Sequence, residues 1–430
     1  MSDVEVQEQA LDGATILAFH PLARREDGTE VVIGRSDSDV FVALPAIGAA
    51  AIELLEAGLP IGEVEQRIEE TTGERIDVLD LAASLVECGL VARIDGRAAA
   101  SPPSIRPMLP WLRTEHVRWL LSRPVSLALD VALAATILAA ITVAVHTRAP
   151  LLDYRSLLWS EHGSAVILTQ AAIAWSLILI HETAHLVTAR AAGAPGRMEF
   201  GTRLQFLVAQ TNVTGIWAAP KRHRLAVYSA GMKSDALIAA VAVLVSAATE
   251  PGGLGYRVAL VTAIVGMTAL GLQLLIFMRT DVYFIVQDLT RSRNLYGDST
   301  AFARYLAALA AARFRHEADR PAHPLAALEP RERGTVQRYA ALLVAGTAVC
   351  LAFAAVVYLP YNIGLIGEAL ASVFSGSPAA VADGLVVSTV LGAVFTIWAR
   401  AWWARHGERL RERVSRARDR RRGGPVPPTS

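Results

Sequence analysis

Ser164-Ala165-Val166-Ile167-Leu168-Thr169-Gln170-Ala171-Ala172-Ile173-Ala174-Trp175-Ser176-Leu177-Ile178-Leu179-Ile180-His181-Glu182-Thr183-Ala184-His185 decides the reading of this chain. The run from Ser164 to Ile180 is almost unbroken apolar sequence and reads as a membrane-spanning helix. It ends in two histidines four residues apart, which a helix stacks one turn above each other so that both can bind one metal. The glutamate between them is placed to act as a base towards water at such a metal. Ionisable groups set against lipid are costly, so a cluster of this kind points to function.

Five further stretches are apolar enough to cross a bilayer. With the first they lie near Val125–Val145, Ser164–Leu186, Leu225–Ala248, Val258–Met278, Tyr339–Leu359 and Val381–Trp398. Lys233 and Asp235 interrupt the third. A composition of 53% hydrophobic and 19% charged residues fits neither a wholly soluble nor a wholly membrane chain, so a soluble part joined to a multi-spanning part is expected. The net charge of +1 gives no basic field for nucleic acid. Cys88 and Cys350 are far apart, which argues against both a disulfide framework and a cysteine-ligated zinc site. Met1 to Gln9 is acidic and polar, without the basic-then-apolar pattern of a secretory signal, and none is expected.

Residues 1–100 read as a small α+β domain. Glu30-Val31-Val32-Ile33 and Val40-Phe41-Val42-Ala43-Leu44 form a strand pair around the turn from Gly34 to Asp39. Helical spacing follows over Ala46–Glu56, Gly62–Thr72 and Val78–Cys88, and Val91–Ile94 is a returning strand. This order describes a winged-helix-like unit. Pro102, Pro103, Pro107 and Pro110 make residues 101–123 a linker. A six-span domain over residues 124–400, with a loop near residues 282–337, and a basic tail over residues 401–430 complete the chain. The fold class expected is mainly α: a polytopic six-helix membrane domain with a winged-helix-like N-terminal domain.

Lys and Arg gather before the first span (Arg113, Arg118, Arg123), between the second and third, between the fourth and fifth, and in the tail from Arg405 to Arg422. The alternate loops near Ala149–Gly163, Glu250–Gly255 and Pro360–Ala380 hold little positive charge. Both termini are therefore expected in the cytoplasm of a multi-pass cell-membrane protein. The same count puts His181 and His185 at the cytoplasmic end of the second span and Asp281 at that of the fourth. A catalytic zinc takes three protein ligands and keeps one position open. Asp281 is the best third ligand on depth and chemistry; Asp288, Glu199 and His223 are its rivals. The longer metzincin pattern is absent, since Thr188 and Ala191 stand where it needs Gly and His.

The histidine motif on a spanning helix, followed by an aspartate at the end of a later one, resembles the site-2 protease family of membrane zinc metalloproteases. That family sets its aspartate in Asn-Pro-Asp-Gly, whereas this chain has Arg279-Thr280-Asp281-Val282. Gly231-Met232-Lys233-Ser234-Asp235 stands where members often carry Gly-Pro and a following Asn. The stretch Met278–Phe284 through Asn294-Leu295-Tyr296 is similar to a subgroup of peptide zinc metalloproteases linked to bacterial peptide natural products. The likeness covers Ala165 to Tyr296. It implies Zn2+ held by His181, His185 and Asp281, with Glu182 as the catalytic base. The N-terminal unit, through Leu44-Pro45-Ala46-Ile47-Gly48 and the closing segment Leu79–Val91, resembles PqqD-like domains, which bind leader peptides by extending a sheet edge. Together these imply a peptide or protein substrate, maturation of a peptide natural product, contact with membrane lipid, and an exporter or peptide-modifying enzyme as partner.

Other readings compete. The histidines can be a polar patch at a helix end, or a metal site without activity. A non-catalytic zinc-binding adaptor could present a peptide to an exporter or modifying enzyme. A transporter is weaker, since no inverted repeat is apparent. Lys233 and Asp235 read by default as an interfacial pair, with a place for Asp235 near the site as the alternative. Residues Gly196 to Trp217, with Met198, Phe200, Leu204, Phe206 and Val208 in loose alternation, suggest a hairpin at the site's mouth. The arginine-rich tail fixes topology and touches anionic lipid; lacking interleaved aromatics, it is not a nucleic-acid binder.

Overall fold

The computed structural model describes residues 11–28, 30–38, 40–100, 102–151, 153–203, 206–315, 323–326, 328–374 and 377–421. The reading of Met1 to Gln9, that of Asp39 in its turn and that of Arg422 lie outside them. The chain divides into two compact units. One holds Met1–Asp130, Glu182–Met198 and Thr211–Ala230; the other holds Val131–His181, Glu199–Gln210 and Gly231–Ser430.

The first unit begins with strands β1 (Leu17–Phe19), β2 (Ala23–Asp27), β3 (Glu30–Arg35) and β4 (Val40–Pro45). Helices α1 (Ala46–Glu56), α2 (Ile61–Thr72) and α3 (Val78–Glu87) follow, then β5 (Val91–Ile94) and β6 (Arg97–Ala98). Two three-stranded sheets result, ordered β2-β3-β4 and β1-β5-β6. The three helices and the β3, β4 and β5 strands fall where the sequence pattern put them. β1, β2 and β6 were not anticipated; β2, Ala-Arg-Arg-Glu-Asp, has no apolar alternation and among the described residues pairs with β3 alone, an edge position that tolerates charge. One core cluster includes Leu17, Ile33, Ile52, Leu55, Val64, Val78, Leu85 and Val91. Asp77 caps α3 by accepting from the Asp80 N–H at 2.8 Å. Gly89 ends it at φ 71°, a left-handed conformation that suits glycine.

Arg35 is only 2% exposed. Its guanidinium meets both Asp37 oxygens at 3.1 Å and donates to the Gly89 carbonyl at 3.0 Å. Ser104 of the linker donates to the same carboxylate at 2.8 Å. The Arg35 hydrogen bond holds the Asp37 carboxyl below the usual carboxylate range, with Ser104 adding to it. A short helix, α4 (Thr114–Val117), and the 3-10 turn Arg118–Leu121 come next. Leu112, Val117 and Leu121 bury against Ala191. Arg25 donates to the Trp217 carbonyl at 2.9 Å, which ties β2 to the 3-10 turn Thr214–Ala218.

Six helical stretches are long and apolar enough to cross a membrane. They comprise α5 (Arg123–Thr147), α6 (Gly163–Ala191), and, after strands β7 (Arg197–Arg203) and β8 (Phe206–Asn212), α7 (Lys221–Ala248) and α8 (Leu254–Gln273). Then follow α9 (Asp281–Leu289), α10 (Leu295–Arg315), α11 (Pro330–Phe353), a π-helical turn Ala354–Tyr358, α12 (Leu359–Val373) and α13 (Pro378–Arg421). The fifth stretch is α11 through α12, and the sixth is Pro378–Ala404 of α13. Both α6 and α7 run unbroken from one unit into the other.

In the second unit Ala140, Ala240, Ala242, Val243 and Ala263 pack together; small residues let spanning helices approach closely. Outward-facing Leu127, Val131, Leu138 and Val145 leave α5 apolar on its surface, as a lipid-facing helix should be. Asp383 caps α6 by accepting from the Gly163 and Ser164 N–H groups at 3.1 and 2.8 Å, and from the Ser164 hydroxyl.

Several boundaries differ from the sequence reading: the loop expected near residues 282–337 contains α9 and α10, and the last helix runs on to Arg421. The fourth span stops at Gln273 rather than Met278. Leu274 to Met278 stay apolar, so hydropathy reads through them, but the backbone tightens into the 3-10 turn Ile276–Met278 and then turns left-handed at Arg279 (φ 57°). Pro360 does not start a loop either. It lies in the first turn of α12, directly after the π turn, where the wider register accommodates a residue without an N–H.

Candidate metal centre

His181, Glu182 and His185 are 7%, 7% and 6% exposed, while Ile178, Leu179 and Ile180 just before them are 37%, 58% and 47% exposed. Leu177, His181, Glu182, His185, Leu186 and Ala189 form one buried stripe at helical period. Ile178, Leu179 and Ile180 thus face outward, while His181, Glu182 and His185 face protein.

The His181 ring is held on both nitrogens. Nδ1 lies 2.7 Å from Asp235 Oδ2 on α7, and Nε2 lies 3.1 Å from Asp281 Oδ2. His185 Nδ1 lies 2.8 Å from the Val227 carbonyl. A carbonyl only accepts, so Nδ1 of His185 carries the proton and its Nε2 presents a lone pair. Glu182 Oε2 accepts from the Thr211 hydroxyl of β8 at 2.6 Å.

Asp281 is the first residue of α9, not the last of the fourth span. Its N–H donates to Gln273 Oε1 at 3.0 Å, and Thr280 donates its hydroxyl to the Gln273 carbonyl at 2.7 Å. The end of α8 therefore grips the start of α9. Arg279, in its left-handed turn, places its guanidinium 5.2 Å from the Tyr296 ring centre.

His181, His185 and Asp281 each offer one ligand atom, all within 4.8 Å of one another. Among the described residues this is the one such group of three, and Asp288, Glu199 and His223 are not in it. The donor chemistry suits a cation. Both His181 nitrogens face carboxylate oxygens. With Nδ1–H turned to Asp235, a cation could take the place of the Nε2 proton and be shared between Nε2 and Asp281. Two imidazole nitrogens and one carboxylate form a set that first-row divalent ions share.

Asp235 is 2% exposed, and what it bonds is His181, 54 residues away in sequence. The default pairing with Lys233 would not have revealed this. Its one sequence signal was the span position it shares with the family motif. Strands β7 and β8 do pair as a two-stranded sheet; the side chains of residues 200–208, including Phe200, Leu204, Phe206 and Val208, lie outside the described residues. Gln170 donates to the Leu157 carbonyl at 2.8 Å, a contact within the second unit. Among the described residues Cys88 and Cys350 form no disulfide. Comparison of the chain with protein-family models, with curated proteins and with solved structures finds no match.

Proposed function

We propose that this protein is a membrane-embedded zinc metallopeptidase, similar to site-2 proteases, that hydrolyses a peptide bond at the cytoplasmic face of the membrane. The observation that carries the reading is the grouping of His181, His185 and Asp281 beside Glu182, on helices of membrane-spanning length. His181 and His185 would hold Zn2+ through Nε2 and Asp281 through its carboxylate, leaving one position open. When bound, zinc lowers the pKa of water towards neutrality and polarises a carbonyl. Glu182 takes the proton from the attacking water and delivers it to the departing amine. The Thr211 hydroxyl fixes one Glu182 oxygen and leaves the other for the proton. The His185–Val227 hydrogen bond keeps the proton of that ring on Nδ1, the tautomer in which Nε2 can bind a metal.

The N-terminal domain is proposed to be PqqD-like and to capture a leader peptide on a sheet edge, so that the substrate is a peptide natural product or its precursor. Both termini would face the cytoplasm, in keeping with the arginine distribution.

The test uses full-length protein in lipid, loaded with Zn2+ and incubated with a defined peptide library read by mass spectrometry. Glu182→Gln should keep the metal and lose the cleavage sites that the parent produces. Equal cleavage by both proteins refutes Glu182 as the base. A metal-loaded parent that leaves every peptide intact refutes the peptidase and favours the adaptor.

A further inference from the structure

Gly231 and Asp235 stand one turn apart on α7, and both meet the ring of His181. A Cβ on residue 231 would lie 2.5 Å from ring Cε1 and 2.6 Å from Cδ2. Only glycine lets the α7 backbone lie flat against this imidazole. Four residues on, and so on the same helix face, the Asp235 carboxylate reaches Nδ1 at 2.7 Å. Its second oxygen, Oδ1, is buried and has no hydrogen-bond partner among the described residues. A carboxylate buried in a spanning helix is costly unless a positive group answers it.

We infer that Gly231 and Asp235 act as one positioning device for His181, with glycine setting the ring's place and aspartate setting its tautomer. The inference rests on the metal-binding half of the reading above and not on the peptidase half. Asp235 takes the Nδ1 proton as a hydrogen bond, which turns the Nε2 lone pair towards Asp281 and His185. The negative charge behind the ring also makes Nε2 a stronger donor. Asp281 and Asp235 bring two negative charges to one imidazole, which matches a divalent cation in surroundings that punish unbalanced charge. Asp235 is thus a positioning residue: it touches His181, not the metal.

Full-length protein in detergent is stripped of metal, then titrated with Zn2+ against a chromophoric chelator and separately loaded with Co2+ for its visible spectrum. Asp235→Ala should weaken Zn2+ binding about 10- to 100-fold and change the Co2+ bands, because the ring loses its orientation. Asp235→Asn keeps a hydrogen-bond acceptor of the same shape without the charge. It should fall between parent and Asp235→Ala, and it carries the test if Asp235→Ala does not fold. Parental affinity and an unchanged Co2+ spectrum in Asp235→Asn and in any folded Asp235→Ala overturn the inference while leaving the metal centre standing. A parent that takes up no metal with both histidines intact overturns the centre and the inference together.

Discussion

Replacing Gly231 with alanine adds one methyl group and separates metal binding from folding. The new Cβ would stand roughly 1 Å closer to the His181 ring than the 3.4–4 Å of ordinary van der Waals contact. The ring cannot slide along its own plane, since Asp235 holds Nδ1 and Asp281 faces Nε2. Either the ring swings, which moves Nε2 by about 1 Å, or α7 backs away, which draws Asp235 off Nδ1 by about as much and frees the ring to turn. Metal ligands must sit within about 0.2 Å of their bond length, so the displacement is several times the tolerance. The cost to the fold is smaller. Overpacking of this size costs about 1–3 kcal/mol, and the better helix propensity of alanine returns up to about 1 kcal/mol. Gly231→Ala should therefore insert and fold, with a melting temperature a few degrees lower, yet bind Zn2+ at least tenfold more weakly. Metal stoichiometry by mass spectrometry and thermal unfolding of the metal-free protein test both halves. A variant that binds metal as the parent does would show that the close approach of α7 has no bearing on His181.

Two further outcomes are expected. Thr211→Val removes the hydroxyl that donates to Glu182 at 2.6 Å; a hydrogen bond to a charged group is worth about 1.5–3 kcal/mol, so cleavage should slow about tenfold or more with metal content unchanged, and Thr211→Ser should restore it. Parental rates in the valine variant would refute a role for Thr211. For Asp37 the folded carboxyl is depressed, so its contribution is complete above the ordinary value of about 3.9 and is lost as pH falls through the lower folded value. The carboxylate is half-exposed, at 51%, which reduces the Arg35–Asp37 contribution to about 1–2 kcal/mol. Asp37→Ala should loosen the N-terminal domain at neutral pH by that amount and remove this acid-sensitive component. Hydrogen exchange at β3 and Gly89 in the full chain reads both effects, and unchanged protection would refute the pairing as a support of the domain.

Much of this molecule is legible as sequence because its largest elements obey one long-range signal, apolar length. Six runs gave six helical stretches, and the stacking of His181 and His185 one turn apart follows from helical period. Hydropathy fails where polarity and backbone shape part company. Leu274 to Met278 are as apolar as the span before them, yet the helix ends first, and a left-handed arginine hands the chain on to α9. Asp281 consequently occupies a helix start, held by Gln273, rather than a span end. The Asp235–His181 contact was hidden for another reason. Nothing local to residue 235 distinguishes a carboxylate aimed at an imidazole from one aimed at a neighbouring lysine; only the packing of α7 against α6 decides. β2 escaped notice because a charged edge strand borrows its conformation from β3 and shows no alternation of its own.

The π turn between α11 and α12 has a consequence for how the protein sits in lipid. From Pro330 to Val373 the chain is helical for 44 residues, about 66 Å at about 1.5 Å per residue. The hydrocarbon core is only about 30 Å thick. A straight rod of that length would have to lean far from the bilayer normal or leave half its turns outside the oil. Ala354–Tyr358 offers a third course, because a wide turn followed by Pro360 already lacks regular hydrogen bonding and bends at the least cost. Bilayer thickness then becomes a mechanical input to this helix, taken up at one joint rather than spread along the rod.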